Sequence, residues 1–240
     1  MPKSIYETIF EDLKNKIESQ QYRSQTLLPS ENELTKQYNC SRNTLRRAIA
    51  KLTSLGYTQS IQGRGVHIIY TPAPTRENYV GPNSLEGLCQ AAAEQGFSVV
   101  NHVITFKSMT INAATAEKSG FEPDTEVFFI QRLRSVNGIA KMIDNTLLRK
   151  DLVPNLTEED LKGSLFRYIE DVAGMTIKTV KRCVTIERTT PFDEKYLSLD
   201  GYNCLAVITS HVYNTDGIQF EYTISRNRPD LFAFDTVVSV

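Results

Sequence analysis

No apolar run in the sequence approaches the roughly 18 residues needed to cross a bilayer. The opening stretch, MPKSIYETIFEDLKNKI, is broken by charge every few positions and lacks the apolar segment of a signal peptide. These absences argue against a membrane partner and against export, and leave the cytoplasm as the expected location. Cysteine is scarce. Cys40, Cys89, Cys183 and Cys204 form no C-x-x-C pair, and His67, His102 and His211 stand at no recognised ligand spacing from them. Reduced thiols are expected rather than a metal site, and no cofactor is called for. No nucleophile–base pair stands out either, so an enzyme is not the first expectation.

Charge of one sign is also missing overall, since the net charge is −1. Its distribution is uneven. Residues 1–70 hold ten Lys or Arg and six Asp or Glu, a balance of +4, and residues 71–240 carry −5. A basic module joined to an acidic one points to a polyanionic partner for the first.

Helical periodicity dominates the beginning. Ile5, Ile9, Leu13 and Ile17 recur every four residues, with Phe10 alongside, and predict an amphipathic helix. Ser30 and Glu33 form the pattern of a capping box before a second, short helix that ends near Tyr38-Asn39. Ser41 caps a third helix, whose buried stripe is Leu45, Ala48, Ile49, Leu52 and Leu55 and whose stop is Gly56. Residues 57–70 read as a β-hairpin with Gln62-Gly63-Arg64-Gly65 at its tip. Residues 71–83, TPAPTRENYVGPN, have three prolines and no periodicity, the composition of a linker. Beyond it, helices are expected over 84–95, 113–119, 164–173 and 191–199. Strands are expected over 99–111, 126–136, 140–149, 177–190, 204–215 and 218–226. Turn signals at Asn137-Gly138 and Asp216-Gly217 make two hairpins that resemble each other, which shared turn chemistry alone would explain. The order predicts an α+β domain with a largely antiparallel sheet.

The third helix begins Ser41-Arg42-Asn43-Thr44-Leu45-Arg46-Arg47. Its apolar stripe faces inward, so Arg42, Asn43, Arg46 and Arg47 face outward or lie at the flank. Arg42 and Arg46, four apart, stack on one side and can reach guanine O6 and N7 in a major groove. Ser41, Thr44 and the first helical N–H groups can take phosphate oxygens. The glycines of the hairpin tip let backbone approach a narrow minor groove while Arg64 supplies charge. With Ser30 and Glu31 at the start of the preceding helix, and Gln62, Gly63 and Gly65 at the tip, these residues make the candidate DNA-binding face.

A second constellation lies further along. Arg132 and Arg134 alternate on one strand and project from one face. Two neighbouring guanidiniums repel unless they share an anion, and the guanidinium fork suits phosphate. Ser84 and Ser164 each precede a helical pattern, where a hydroxyl and helical N–H groups can add to an anion cradle. Asp144 and Glu221 are carboxylates on otherwise apolar strands, and carboxylates bind pairs of sugar hydroxyls well. The same residues could instead form a salt-bridge ladder between facing strands. Loop length bears on the choice. A two-residue loop at Asn137-Gly138 puts Asp144 on the face opposite Arg132, whereas a three-residue loop or a bulge sets the two directly across from each other.

The stretch LPSENELTKQYNCSRNTLRRAIAKLTSLGYTQSIQGRG resembles the N-terminal domain of the GntR family of bacterial repressors, with its L-P-S-E-x-x-L, S-R-x-T-x-R-x-A-x-x-x-L and G-x-G pattern. Leu45 departs from the usual Val, and Gln62 stands where a basic residue is common. The resemblance implies that Arg42 and Arg46 read bases, that Ser41 and Thr44 hold phosphates, and that Gly63 enters the minor groove. Residues 84–235 resemble the effector (UTRA) domain of the HutC branch, most of all in trehalose operon repressors, through VPNLTEEDLKGSLFRYIED, the turn at Asp216-Gly217 and FEYTISRNRPDLFAF. The resemblance implies a chorismate-lyase-like sensor domain. It assigns Ser84, Arg132, Arg134 and Ser164 to a phosphate and Asp144 and Glu221 to a sugar. The organisation expected is therefore a winged helix-turn-helix domain (1–70), a linker (71–83) and an effector-binding and dimerisation domain (84–240). The function expected is that of a homodimeric repressor on a pseudo-palindromic operator. A sugar phosphate would release it, trehalose 6-phosphate first and glucose 6-phosphate second. The alternatives are a regulator of another sugar-phosphate or amino-sugar pathway, a lyase-like enzyme, and an architectural DNA protein without a ligand.

Overall fold

The computed structural model describes residues 4–71, 92 and 96–232. The chain divides into two compact units, of which the described residues are 4–71 in the first and 92 and 96–232 in the second. The expected linker lies outside the described residues except for Thr71, and so does the expected helix over 84–95 except for Ala92.

The first unit packs helices α1 (Ile5–Glu18), α2 (Glu31–Gln37) and α3 (Arg42–Ser54) with the antiparallel hairpin β1 (Thr58–Ile61) and β2 (Gly65–Ile68). Local chemistry fixes where each helix starts. The Ser30 hydroxyl accepts from Glu33 N while Glu33 Oε2 accepts from Ser30 N at 2.8 Å, and the Ser41 hydroxyl accepts from Thr44 N at 3.1 Å. Leu13, Ile17, Leu34, Leu45, Leu52 and Ile68 are fully enclosed in one core. Two members of the expected stripes are not in it. Ile5 is exposed because it opens α1 ahead of the first buried turn, and Leu55 is exposed because it is the C-cap of α3, where the chain already turns away. Gly56 does adopt the left-handed stop, at φ 77°.

The second unit is a six-stranded antiparallel sheet. Its elements are β3 (Val99–Thr110), α4 (Ala113–Ser119), β4 (Glu126–Val136), β5 (Ile139–Arg149), α5 (Leu165–Asp171), β6 (Ile177–Arg188), α6 (Pro191–Tyr196), β7 (Cys204–Asn214) and β8 (Gln219–Asn227). Across the sheet the order is β3-β4-β5-β8-β7-β6. The order strand–helix–strand–strand occurs twice, as β3-α4-β4-β5 and β6-α6-β7-β8, with β5 and β8 paired at the join. The likeness of the two hairpins noted in the sequence therefore extends to whole halves of the sheet.

The four central strands, β4, β5, β8 and β7, are covered on both faces, and the edge strands β3 and β6 are exposed or half-buried over most of their length. On one face, Leu161, Leu165 and Ile169 pack with Phe128, Ile130, Leu148 and Val212. On the other, Phe121 and Ala116 near α4 meet Val127, Leu147 and Tyr222, and Leu197 after α6 meets Ile143, Leu205 and Val207. Strands with two covered faces explain why their apolar alternation is weak in the sequence.

The β4–β5 turn combines two features expected only as alternatives. Val136 pairs Ile139, so the loop is the two residues Asn137 and Gly138, both at positive φ as a type I′ turn requires. The register then shifts between Arg134 and Ser135 through a bulge. Arg134 faces Met142, and Arg132 faces Asp144.

Candidate functional site

On the first unit, α3 presents Arg42, Asn43 and Arg46 to solvent, and the β1–β2 tip presents Gln62, Gly63, Arg64 and Gly65. The arginines are held by α2. Arg42 Nη2 donates to Asn32 Oδ1 at 3.0 Å. Arg46 grips Glu31 with two bonds, Nε to Oε1 at 2.9 Å and Nη2 to Oε2 at 3.0 Å. The Arg46 guanidinium lowers the Glu31 carboxyl's pKa. A guanidinium gripped along its Nε–Nη2 edge keeps other donors pointing away from the carboxylate. Arg47 lies apart from this pair, stacked 4.2 Å over the Tyr6 ring of α1. Ser41 and Thr44 share a 2.8 Å hydroxyl contact at the start of α3. Asn32, absent from the sequence reading, is signalled there only by adjacency to Glu31. At the tip, Gly63 has φ 73° and open space around it, so backbone conformation, not crowding, is what demands glycine.

On the second unit, strand register gathers a polar band on the sheet face that also packs against α5. One cross-strand row reads Arg132, Asp144, Ser225; the next reads Thr146, Thr223, Ser210, Arg182. Both expected arginines converge on one carboxylate oxygen. Asp144 Oδ2 lies 3.1 Å from Arg134 Nη1 and 3.6 Å from Arg132 Nη2. The anion they share within the protein is thus Asp144. This is a cross-strand ladder, and it is buried: Arg132 is 5% exposed and Asp144 3%. Asp144 Oδ1 also accepts the Ser225 hydroxyl.

Asn101 fixes the neighbourhood of Ser164. Its Oδ1 accepts from Arg134 Nε at 2.9 Å, and its Nδ2 donates to the carbonyls of Lys162 and Gly163 at 2.9 and 3.0 Å. Ser164 follows directly and caps α5, its hydroxyl accepting from Arg167 N at 3.4 Å. Ser84 lies outside the described residues.

Glu221 closes the band. It is buried, its Oε1 accepts the Thr223 hydroxyl at 2.7 Å, and Thr223 in turn contacts Thr146 at 2.8 Å. Its Oε2 has no hydrogen-bond partner among the described residues. Burial pushes the carboxyl up to about 7; the Thr223 bond and the positive charges of Arg132 and Arg182 oppose that rise, and Asp144 adds to it. Arg182, Asn101, Thr146, Thr223 and Ser225 were not singled out in the sequence. Arg182 left one trace there, a cation two residues from Val180 and from Val184 on one face of β6.

A winged helix bearing outward arginines is thus followed by a sheet with buried charge facing hydroxyls. Residues 5–68 match the bacterial regulatory proteins of the gntR family, and residues 94–233 match the UTRA domain. The chain belongs to the GntR family, in its UTRA-bearing HutC branch. Its curated relatives include the HTH-type transcriptional regulator TreR of Bacillus subtilis, 29% identical over 95% of this chain and 94% of that protein. Another is GmuR of the same organism, 25% identical over 97% of each. Among solved structures, the transcriptional regulator YydK from Bacillus subtilis superposes with a TM-score of 0.78 over 99% of this chain and all of its own, at 21% identity. The effector-binding domain of the B. subtilis trehalose repressor gives 0.53 at 26% identity, over 59% of this chain and 98% of its own. These relatives are named as regulators, in keeping with operator DNA as the partner of the first unit and a small-molecule effector as that of the second.

The position of Glu221 sets a pH test. Its folded pKa, about 7, exceeds the ordinary 4.5, so over that interval the folded chain keeps a proton that the unfolded chain releases. Stability from this group is therefore full below about 4.5, falls as pH rises to about 7, and is level above. Thermal melts across this range should show wild type losing ground to Glu221→Gln as pH rises; parallel curves would contradict the burial argument.

Proposed function

We infer that the chain is a homodimeric repressor of a sugar-utilisation operon, trehalose utilisation first, and that a sugar phosphate releases it from DNA. Trehalose 6-phosphate is the first candidate effector and glucose 6-phosphate the second. The observation that carries this reading is the convergence of the Arg132 and Arg134 guanidiniums at the buried Asp144, with the Asn101 amide bridging Arg134 to the Lys162 and Gly163 carbonyls just before Ser164. Two guanidiniums share the single carboxylate of Asp144, so the cluster keeps an excess positive charge, and that charge with a hydroxyl nearby supports its reading as a phosphate seat. The hydroxyls of Thr146, Thr223 and Ser225 and the buried Oε2 of Glu221, which has no hydrogen-bond partner among the described residues, suit a sugar beside it. Ser84 belongs to the same proposed phosphate seat by its place in the sequence. The relation to a trehalose repressor favours trehalose 6-phosphate over other phosphorylated sugars.

On DNA, Arg42 and Arg46 read bases, and Ser41 and Thr44 hold phosphates. Gly63 enters the minor groove, with Gln62, Arg64 and Gly65 alongside it. Ser30, Asn43 and Arg47 contact the backbone, and Glu31 steers Arg46. The effector acts by population shift, binding more tightly to the arrangement that does not fit the operator.

Arg46→Ala should flatten the preference for operator over random DNA by about 1–3 kcal/mol, as loss of one bidentate guanine contact requires. Competition binding with both DNAs checks this; equal weakening on both would make Arg46 a phosphate contact.

Calorimetry should find trehalose 6-phosphate bound at least about 100-fold more tightly than trehalose, since two charge-assisted bonds depend on the phosphate. Arg134→Ala should remove most of that margin. By linkage, operator DNA should weaken effector binding by the factor with which effector weakens DNA binding. Equal affinity for the sugar and its phosphate, or indifference to operator, would rule the reading out.

Two-fold symmetry matches paired half-sites, and one winged helix covers little DNA. Sedimentation of the full chain at micromolar concentration should give a dimer; a monomer overturns that part.

A further inference from the structure

The mechanism above leaves Arg182 unused. It lies on β6, the far edge strand of the sheet, yet it faces the polar band. Its register partner is Ser210, which pairs Thr223, which pairs Thr146. Most of β6 is exposed, but Arg182 is half-buried, and burial lowers its pKa, a cost to the charged form that the Glu221 carboxylate offsets. Glu221 feels the charge of Arg132 on one side and of Arg182 on the other. Its Oε2 is buried and lacks a hydrogen-bond partner among the described residues.

We propose that Arg182, with Glu221 and Ser210, forms a distal sugar subsite that reads the hydroxyls of a second ring, and so separates a disaccharide phosphate from a monosaccharide phosphate. This rests on the sugar-phosphate reading. The site has two ends. The phosphate end is Arg132 and Arg134 on β4, tied through Asn101 to Lys162 and Gly163. Arg182 stands four strand spacings from β4, about 19 Å between backbones at ~4.8 Å each. A ring next to the phosphate lies over β5 and β8, where Asp144 and Ser225 meet it. A ligand that continues over β7 comes to Ser210 and Arg182. Hydroxyl pairs are well served there, because a guanidinium only donates and a carboxylate accepts, so one hydroxyl can bond to both. A monosaccharide phosphate anchored at β4 leaves that end to water.

The test is titration calorimetry with trehalose 6-phosphate and glucose 6-phosphate on wild type, Arg182→Ala and Arg182→Gln, with melting temperatures as a check on folding. Both variants should weaken trehalose 6-phosphate by about 10- to 100-fold, the loss of a hydrogen bond to a charged group. Glucose 6-phosphate should change by less than about threefold in the same proteins. Arg182→Gln keeps a polar side chain of similar stem and serves if the alanine variant folds poorly. Equal weakening of both ligands would show that Arg182 acts through the shared phosphate end or through the charge of Glu221, and no change in either would show that it touches neither; both results overturn the subsite while the effector reading stands. If wild type binds neither sugar phosphate, the effector reading falls, and the subsite with it.

Discussion

The sensor unit depends on one irregularity, the bulge between Arg134 and Ser135. In a regular hairpin closed by Asn137-Gly138, Asp144 would point to the α4 and α6 side of the sheet, away from Arg132. The extra residue reverses the alternation for the rest of the β4–β5 pairing. That places a carboxylate between two guanidiniums on the face that α5 covers. It also sets the row that continues through Ser225 and, one step along, the hydroxyls of Thr146, Thr223 and Ser210. Removing one partner of such a buried group leaves the other charge desolvated, so the bulge and the ion pair support each other.

Much of the first unit was legible because its signals are local. Capping residues mark helix starts, a four-residue apolar repeat marks the core, and glycines mark the stop and the tip. Ile5 and Leu55 escaped that logic because periodicity says which side a residue faces, not whether the core reaches that far along the helix. In the second unit the elements were legible and the site only partly. Arg132, Arg134, Asp144 and Glu221 stood out as charges on apolar strands. Asn101 and Arg182 did not, since they join the site through pairings between residues tens of positions apart, and no short window contains both partners.

The repeated order of the two sheet halves gives the site its shape. The halves meet at β5 and β8, so the central strands contribute Asp144, Thr146, Glu221, Thr223 and Ser225, while β4 and the edge strand β6 contribute the arginines. Acceptors and hydroxyls lie at the middle and cations on either side. The halves differ in content, because Arg132 of β4 corresponds in pairing position to no arginine of β7. A repeated frame thus carries an unsymmetrical lining.

Asn101 has a mechanical meaning. Its two amide hydrogens go to consecutive backbone carbonyls and its oxygen to Arg134, so it works as a rigid strut between the strand floor and the segment that leads into α5. A displacement of the Arg134 head cannot be absorbed by side-chain rotation in the strut without breaking a bond at one end. The floor and that part of the cover therefore shift as one body, and a push on the guanidinium is delivered to the backbone at residues 162–163.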